Sequence, residues 1–354
     1  MEVKHKVLLG LPPHNFDEKH PLFLNFGIFF HLDTKSSIDE EYTHINDWLR
    51  TQNSILNFES LVELKKFIKS LNHDKKNIIN LAIFSKREFM SKKQIQDIKE
   101  FIEENNQNKH IEIILKTDID KFEIFYSKLE FYNFMKELNL ENYISEYSLL
   151  SDENSFNNIQ TPFLLRNSTS SGGKDTLLIN EKNEITKLIR NLNIKSLFKL
   201  KNKNHWFIQQ FIDTKAKLGF YRSFRILAFN CTPYFIYPNV SYSNPITHVS
   251  EKDKLSKDLF LDSVNVGIEI FNLHKPTFQK IFESLGNPFA ALDFVCIDND
   301  NLYISEAELK YGPSEKYVIN QIEYFNLNKD YFENIRKQLN VEPLTFEDLY
   351  SIFE

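Results

Sequence analysis

Three carboxylates lie close together in the stretch Ala291-Leu-Asp-Phe-Val-Cys-Ile-Asp-Asn-Asp-Asn-Leu-Tyr-Ile-Ser-Glu-Ala-Glu308. Two apolar runs are joined by the turn-rich Asp298-Asn-Asp-Asn301, which predicts an antiparallel hairpin. Glu306 and Glu308 are two apart and project from one face of a regular strand, and the hairpin folds Asp293 back towards them. Three anions gathered beside apolar strands are costly unless a cation neutralises them. Oxygen-only ligands suit a hard ion such as magnesium, usually shared with substrate phosphates. The spacing alone leaves an equal alternative, in which Glu306 and Glu308 sit on the solvent-facing side of an edge strand.

The elements that must position this hairpin follow from periodicity. In the first third, Val3–Leu11, Asn77–Phe84 and His110–Leu115 read as strands, with a helix over Lys92–Glu104 carrying Ile95, Ile98, Phe101 and Ile102 at helical spacing. The alternation predicts a small α/β domain with parallel sheet over residues 1–120. A second unit, 121–205, opens with a helix over Lys128–Leu140, followed by a hairpin-like pair at Pro162–Leu165 and Asp175–Ile179 and a helix over Glu184–Leu192. From residue 206 to 354 the pattern is strand-rich: Trp206–Ile212, Tyr221–Phe229, Pro233–Tyr237, Ala290–Ile297 and Leu302–Glu308. Two helices, Asp258–Leu273 and Lys275–Ser284, interrupt these strands, and Tyr317–Glu354 is read as helical.

Composition narrows the function. The chain of 354 residues is long enough for two or three domains, and its 42% hydrophobic and 26% charged residues are those of a soluble globular protein. A net charge of -6 gives no support to a nucleic-acid or anionic-membrane partner. Cys231 and Cys296, both in apolar stretches, are expected to be small core residues; so few cysteines suit a reducing compartment, and a cytoplasmic location is expected. No apolar run reaches membrane-spanning length, and the start of the chain is too short an apolar run for a signal peptide.

The acidic stretch resembles the metal-binding hairpin of ATP-grasp enzymes, in which an Asp is followed after about a dozen residues by Glu-x-Asn. Glu306 stands thirteen positions after Asp293, Glu308 replaces the Asn, and Gly312-Pro313 is similar to the Pro-Gly that often follows. Ser127-Lys128-Leu129 resembles the first phosphate-reaching lysine of that family. Pro162-Phe-Leu-Leu-Arg166 stands where the family has Pro-x-x-x-Lys, with an arginine that is still cationic and a good phosphate donor. Asn167-Ser-Thr-Ser170-Ser171-Gly172-Gly173-Lys174 resembles the loop that closes over the phosphates, and its backbone amides suit an anion nest. It is not a Walker motif. Trp206-Phe-Ile-Gln209-Gln210-Phe211-Ile212 resembles the adenine hinge, often Val-x-Glu-x-x-Ile, with Gln209 at the Glu position. Arg222 and Arg225 lie on opposite faces of one strand, and Arg225 resembles the arginine aimed at the transferred phosphate. His248, in Asn-Pro-Ile-Thr-His, lies in an expected loop near this strand, where a lone histidine is more often structural than catalytic, and a catalytic part stays open as the lesser alternative.

The resemblance covers roughly residues 121–315. It implies an ATP-grasp fold, two α+β lobes clasping ATP, preceded by the N-terminal α/β domain. It also implies ATP with two Mg2+ ions held by Asp293, Glu306 and Glu308. ATP itself would meet Lys128, Arg166, the 170–173 loop and the 209–212 hinge, with Arg225 and Arg166 as catalytic cations. The implied activity is an ADP-forming ligase that joins a carboxylate substrate, a peptide among the candidates, to an amine through an acyl phosphate. A small-molecule kinase and a non-catalytic nucleotide-binding protein are the alternatives, and a homodimer is the implied assembly.

Overall fold

The computed structural model describes residues 2–9, 55–58, 60–83, 92–149, 160–169, 176–181, 183–184, 206–242, 256–309, 329–342 and 350–354. Among the described residues the strands form three four-stranded sheets. The first is wholly parallel, in the order β2-β1-β3-β4: β1 is Glu2–Leu9, β2 Ile55–Phe58, β3 Lys76–Ile83 and β4 Ile111–Leu115. Central β3 is buried from Asn77 to Ile83, as expected of a parallel strand covered on both faces. The crossovers are α1 (Leu61–Ser70), which starts where the Ser60 hydroxyl accepts from the Glu63 amide, and α2 (Lys92–Asn106). Edge strand β4 is protected from further pairing by a side chain. Asn106 accepts from the Ile113 amide at 2.6 Å and donates to its carbonyl at 3.2 Å.

The second sheet is antiparallel, in the order β5-β8-β6-β7: β5 is Tyr147–Leu149, β6 Phe163–Asn167, β7 Thr176–Ile179 and β8 Trp206–Gln210. The expected division between residues 205 and 206 thus falls just before a strand of this sheet. β8 bonds to β5 on one side and β6 on the other, so the sheet extends to Gln210. Helix α3, Lys128–Glu137, precedes the sheet and is capped by Ser127, whose hydroxyl accepts from the Glu130 amide.

The third sheet is antiparallel, in the order β10-β9-β11-β12, and follows the short helix α4 (Thr214–Leu218): β9 is Tyr221–Phe229, β10 Thr232–Ser241, β11 Phe289–Cys296 and β12 Leu302–Glu308. Cys231 is not the core residue expected. It lies half-buried in the β9–β10 turn, where Asn230 and Cys231 both have positive φ, as a two-residue hairpin turn requires. Cys296 is fully buried, as expected, and burial pushes its thiol up to about 11.

One helix, α5 (Lys257–Leu285), covers a face of this sheet where two were expected. Pro276 removes one amide donor but does not end the helix. The buried stripe of Gly267 and Phe271 continues beyond it through Phe278, Phe282 and Leu285, so packing on the sheet overrides the local break. Phe278 lies 5.7 Å from Phe294, which stacks on Phe224 at 5.2 Å. The helix ends at Gly286 (φ 62°), where a Cβ would fall 2.9 Å from the Asp118 Cβ, so glycine is required twice over. The Asp118 amide donates to the Gly286 carbonyl at 2.9 Å and ties the exit of the parallel sheet to the end of α5. Within the C-terminal stretch expected to be helical, Lys329–Gln338 forms α6.

Candidate functional site

The acidic hairpin forms as its sequence predicts, β11 pairing with β12 across the 298–301 turn. The Asp298 carboxylate accepts from the backbone amides of Asp300 and Asn301 and so fixes that turn. The pairing contains one irregularity. Phe294 faces Ile304 and Asp293 faces Glu306, leaving Ser305 as an extra residue on β12. Its hydroxyl donates to the Asp293 carbonyl at 3.0 Å. The bulge changes the phase of the strand. Leu302 and Ile304 face the buried side, but after Ser305 that role passes to Ala307, and Glu306 and Glu308 turn to the opposite face. A strictly alternating strand would have placed both glutamates with Ile304. The solvent-facing alternative also fails: β12 is an edge strand among the described residues, yet the Glu306 and Glu308 side chains are only 16% and 10% exposed.

Arg225 on β9 pairs directly with Asp293, which pairs with Glu306, so the three form a row across three strands. Arg225 donates through Nε and Nη2 to Asp293 Oδ1 and Oδ2 at 2.6 and 2.5 Å, and through Nη2 to Glu308 Oε2 at 2.6 Å. Arg222 takes the other side of the strand, buried between the rings of Phe220 and Phe224, with Asp262 of α5 4.0 Å away. The odd spacing of the two arginines therefore separates them as expected.

Lys128 reaches the same row from α3. Its side chain is 2% exposed, with Nζ 2.7 Å from Glu306 Oε2. Its amide donates to the Ser168 carbonyl at 2.9 Å, which anchors the start of α3 to the end of β6. The cations demanded by three gathered carboxylates are thus supplied in part by the chain itself and not by metal alone. The donor set nevertheless fits a hard divalent ion: oxygens only, one from each of Asp293, Glu306 and Glu308, within 4.8 Å of one another.

Arg166 and Gln209, far apart in sequence, are bonded side by side. Arg166 Nη1 donates to Gln209 Oε1 at 2.8 Å, and Gln209 Nε2 donates to the Tyr132 and Ser145 hydroxyls at 2.6 and 2.7 Å. Arg166 Nε is buried without a hydrogen-bond partner. Tyr132 is pushed up to about 12, chiefly by burial; Arg166 pulls it down and Glu306 pushes it further up. Tyr132 and Ser145 belong to no motif, and only the position of Tyr132 one helical turn after Lys128 points to it.

The side chain of Gln209 is buried in this network and the Gln210 amide donates to the Glu146 carbonyl at 2.8 Å, so of the expected hinge these groups are already engaged. Phe211 lies 6.4 Å from the Tyr221 ring, and the Ile212 carbonyl accepts from Thr214 at 3.1 Å. Ser170, Ser171, Gly172, Gly173, His248 and Gly312-Pro313 lie outside the described residues. Among the described residues no helix is long and apolar enough to cross a membrane.

No protein-family model matches the chain, and no curated protein sequence does. Several solved structures are similar to it at low identity. A RimK-domain ATP-grasp protein from Sphaerobacter thermophilus is 8% identical, over 93% of this chain and 99% of that one, with a TM-score of 0.45. The D-alanine–D-alanine ligase of Bacillus anthracis complexed with ATP is 10% identical, over 99% and 98%, with a TM-score of 0.46. An L-amino acid ligase from Bacillus licheniformis is 10% identical, over 96% and 78%, with a TM-score of 0.45.

Proposed function

We propose that this chain has an ATP-grasp fold, binds ATP with Mg2+ and joins a carboxylate to an amine with formation of ADP. The observation that carries this reading is the convergence of Asp293, Glu306 and Glu308 with Lys128 and Arg225 on one row. Such a set can bind a polyphosphate and its metal together. The order of the motifs along the chain, from Lys128 through Arg166 and the Ser/Gly loop to the acidic hairpin, supports it.

In this reading the three carboxylates hold Mg2+, which when bound would neutralise phosphate charge and polarise the γ-phosphate. Lys128 and Arg225 supply fixed positive potential where negative charge develops on the transferred phosphoryl group. Arg166, kept in place by neutral Gln209, directs its charge to the phosphates. The substrate carboxylate attacks the γ-phosphorus, ADP leaves, and the amine then displaces phosphate from the acyl phosphate. The two free cysteines suit the cytoplasm as the place of action.

One observation favours a non-catalytic nucleotide-binding role instead: each carboxylate of the row already has a protein cation as partner. Calorimetric titration of ATP, with and without Mg2+, into the protein and its Glu306→Gln variant tests the proposal. Binding that needs Mg2+ and weakens at least about tenfold in the variant is expected. No binding under either condition refutes it. Binding without ADP release in the presence of any carboxylate and amine pair would leave the non-catalytic role.

A further inference from the structure

In the structure the row of charges is paired within the chain itself. Asp293 and Glu308 are bonded to Arg225, and Glu306 to Lys128, in a place where the Lys128 side chain is 2% and the Arg225 side chain 11% exposed. A divalent cation arriving alone meets carboxylates that each already have a protein cation as partner, and two fixed positive charges at contact distance, poorly screened by water. A polyphosphate arriving alone meets three carboxylates. Either ligand alone is therefore opposed by like charges of the cluster that it does not itself compensate.

Arriving together they exchange partners. The phosphate oxygens draw Lys128 and Arg225, and the metal takes the carboxylates, so every charge is again paired. Arg166 adds a further cation to the phosphate side. It is nine-tenths buried with Nε unpartnered, and it reaches α3 through Gln209 and Tyr132, one turn after Lys128. We propose that Lys128 and Arg225 are internal counter-ions that exclude divalent metal from Asp293, Glu306 and Glu308 until a polyphosphate draws them away. The inference rests on the ATP reading above, and it assigns to Lys128 a second role, as a competitor of the metal.

The distinguishing consequence is a gain of binding on removing a cation. Mn2+ bound to the purified full chain is measured by electron paramagnetic resonance, with and without a non-hydrolysable ATP analogue. The wild-type chain is expected to bind Mn2+ weakly alone and more tightly with the analogue. Lys128→Met is expected to bind Mn2+ alone at least about tenfold more tightly than wild type, because one opposing charge is gone. Adding Glu306→Gln is expected to abolish that gain. Lys128→Gln, which keeps a donor to Glu306 without the charge, serves should the methionine variant fail to fold, and the same gain is expected.

Tight Mn2+ binding by the wild type alone, or no gain in either Lys128 variant, overturns the inference. In that event, if Mn2+ and the analogue still bind together, the ATP reading survives. If neither binds in any combination to any variant, that reading fails and takes the inference with it.

Discussion

Loss of Arg225 is expected to destabilise the third sheet. Replacement by Met keeps the length and apolar stem but removes three charge-assisted hydrogen bonds, two to Asp293 and one to Glu308. The Glu308 side chain is 10% exposed and is left without that partner, while Asp293, at 23%, recovers part of its hydration. Breaking a buried ion pair from one side costs roughly 3–5 kcal/mol, and the partial exposure of Asp293 brings the expected loss to about 3 kcal/mol. Removing all three charges, as Arg225→Met with Asp293→Asn and Glu308→Gln, leaves no buried charge uncompensated. The triple variant is expected to recover most of the loss and to lie within about 1 kcal/mol of wild type. Amide hydrogen exchange in β9, β11 and β12 reads the stability of this sheet separately from the other two. A single variant within about 0.5 kcal/mol of wild type, or a triple variant no more stable than the single one, refutes the reasoning.

Gly267→Ala places a Cβ 2.9 Å from Phe224 Cε1. Overpacking costs roughly 1–3 kcal/mol, because Phe224 is fully buried and stacked on Phe294, against about 1 kcal/mol gained in helix propensity; a fall in thermal midpoint is expected. Tyr132 is expected to stay neutral until about pH 12, so wild type and Tyr132→Phe should show equal tyrosinate absorbance up to about pH 11 and diverge only above it. Since its folded-state value is raised above the ordinary 10.0, the stability linked to the neutral phenol is complete below that pH and is lost as pH rises through about 12.

The hairpin was legible because alternation and turn chemistry are local. The turn Asp298-Asn-Asp-Asn301 and the flanking apolar runs carry its whole description. The bulge was also written there, as a break of phase between Ile304 and Ala307, but treating the strand as regular passes over it. The pairing of Lys128 with Glu306 and of Arg166 with Gln209 was not legible, because nothing local joins residues so far apart. Pro276 misled for the opposite reason: the local rule is strong, and only the face presented to Phe294 shows why the helix continues. The assignment of β8 to the second sheet depends on partners on both sides, which one strand's sequence does not name.

Lys128 is attached at both ends of its own length. Its backbone amide is bonded to Ser168 at the end of β6, and its ammonium to Glu306 on β12. A single residue thus spans two sheets that share no strand. Separation of those sheets along this line has no slack: it must release either the amide or the ammonium. The Lys128–Glu306 ion pair is therefore one of the ties between the second and third sheets. A ligand that takes the ammonium for itself removes that tie and leaves the amide bond to Ser168 in place.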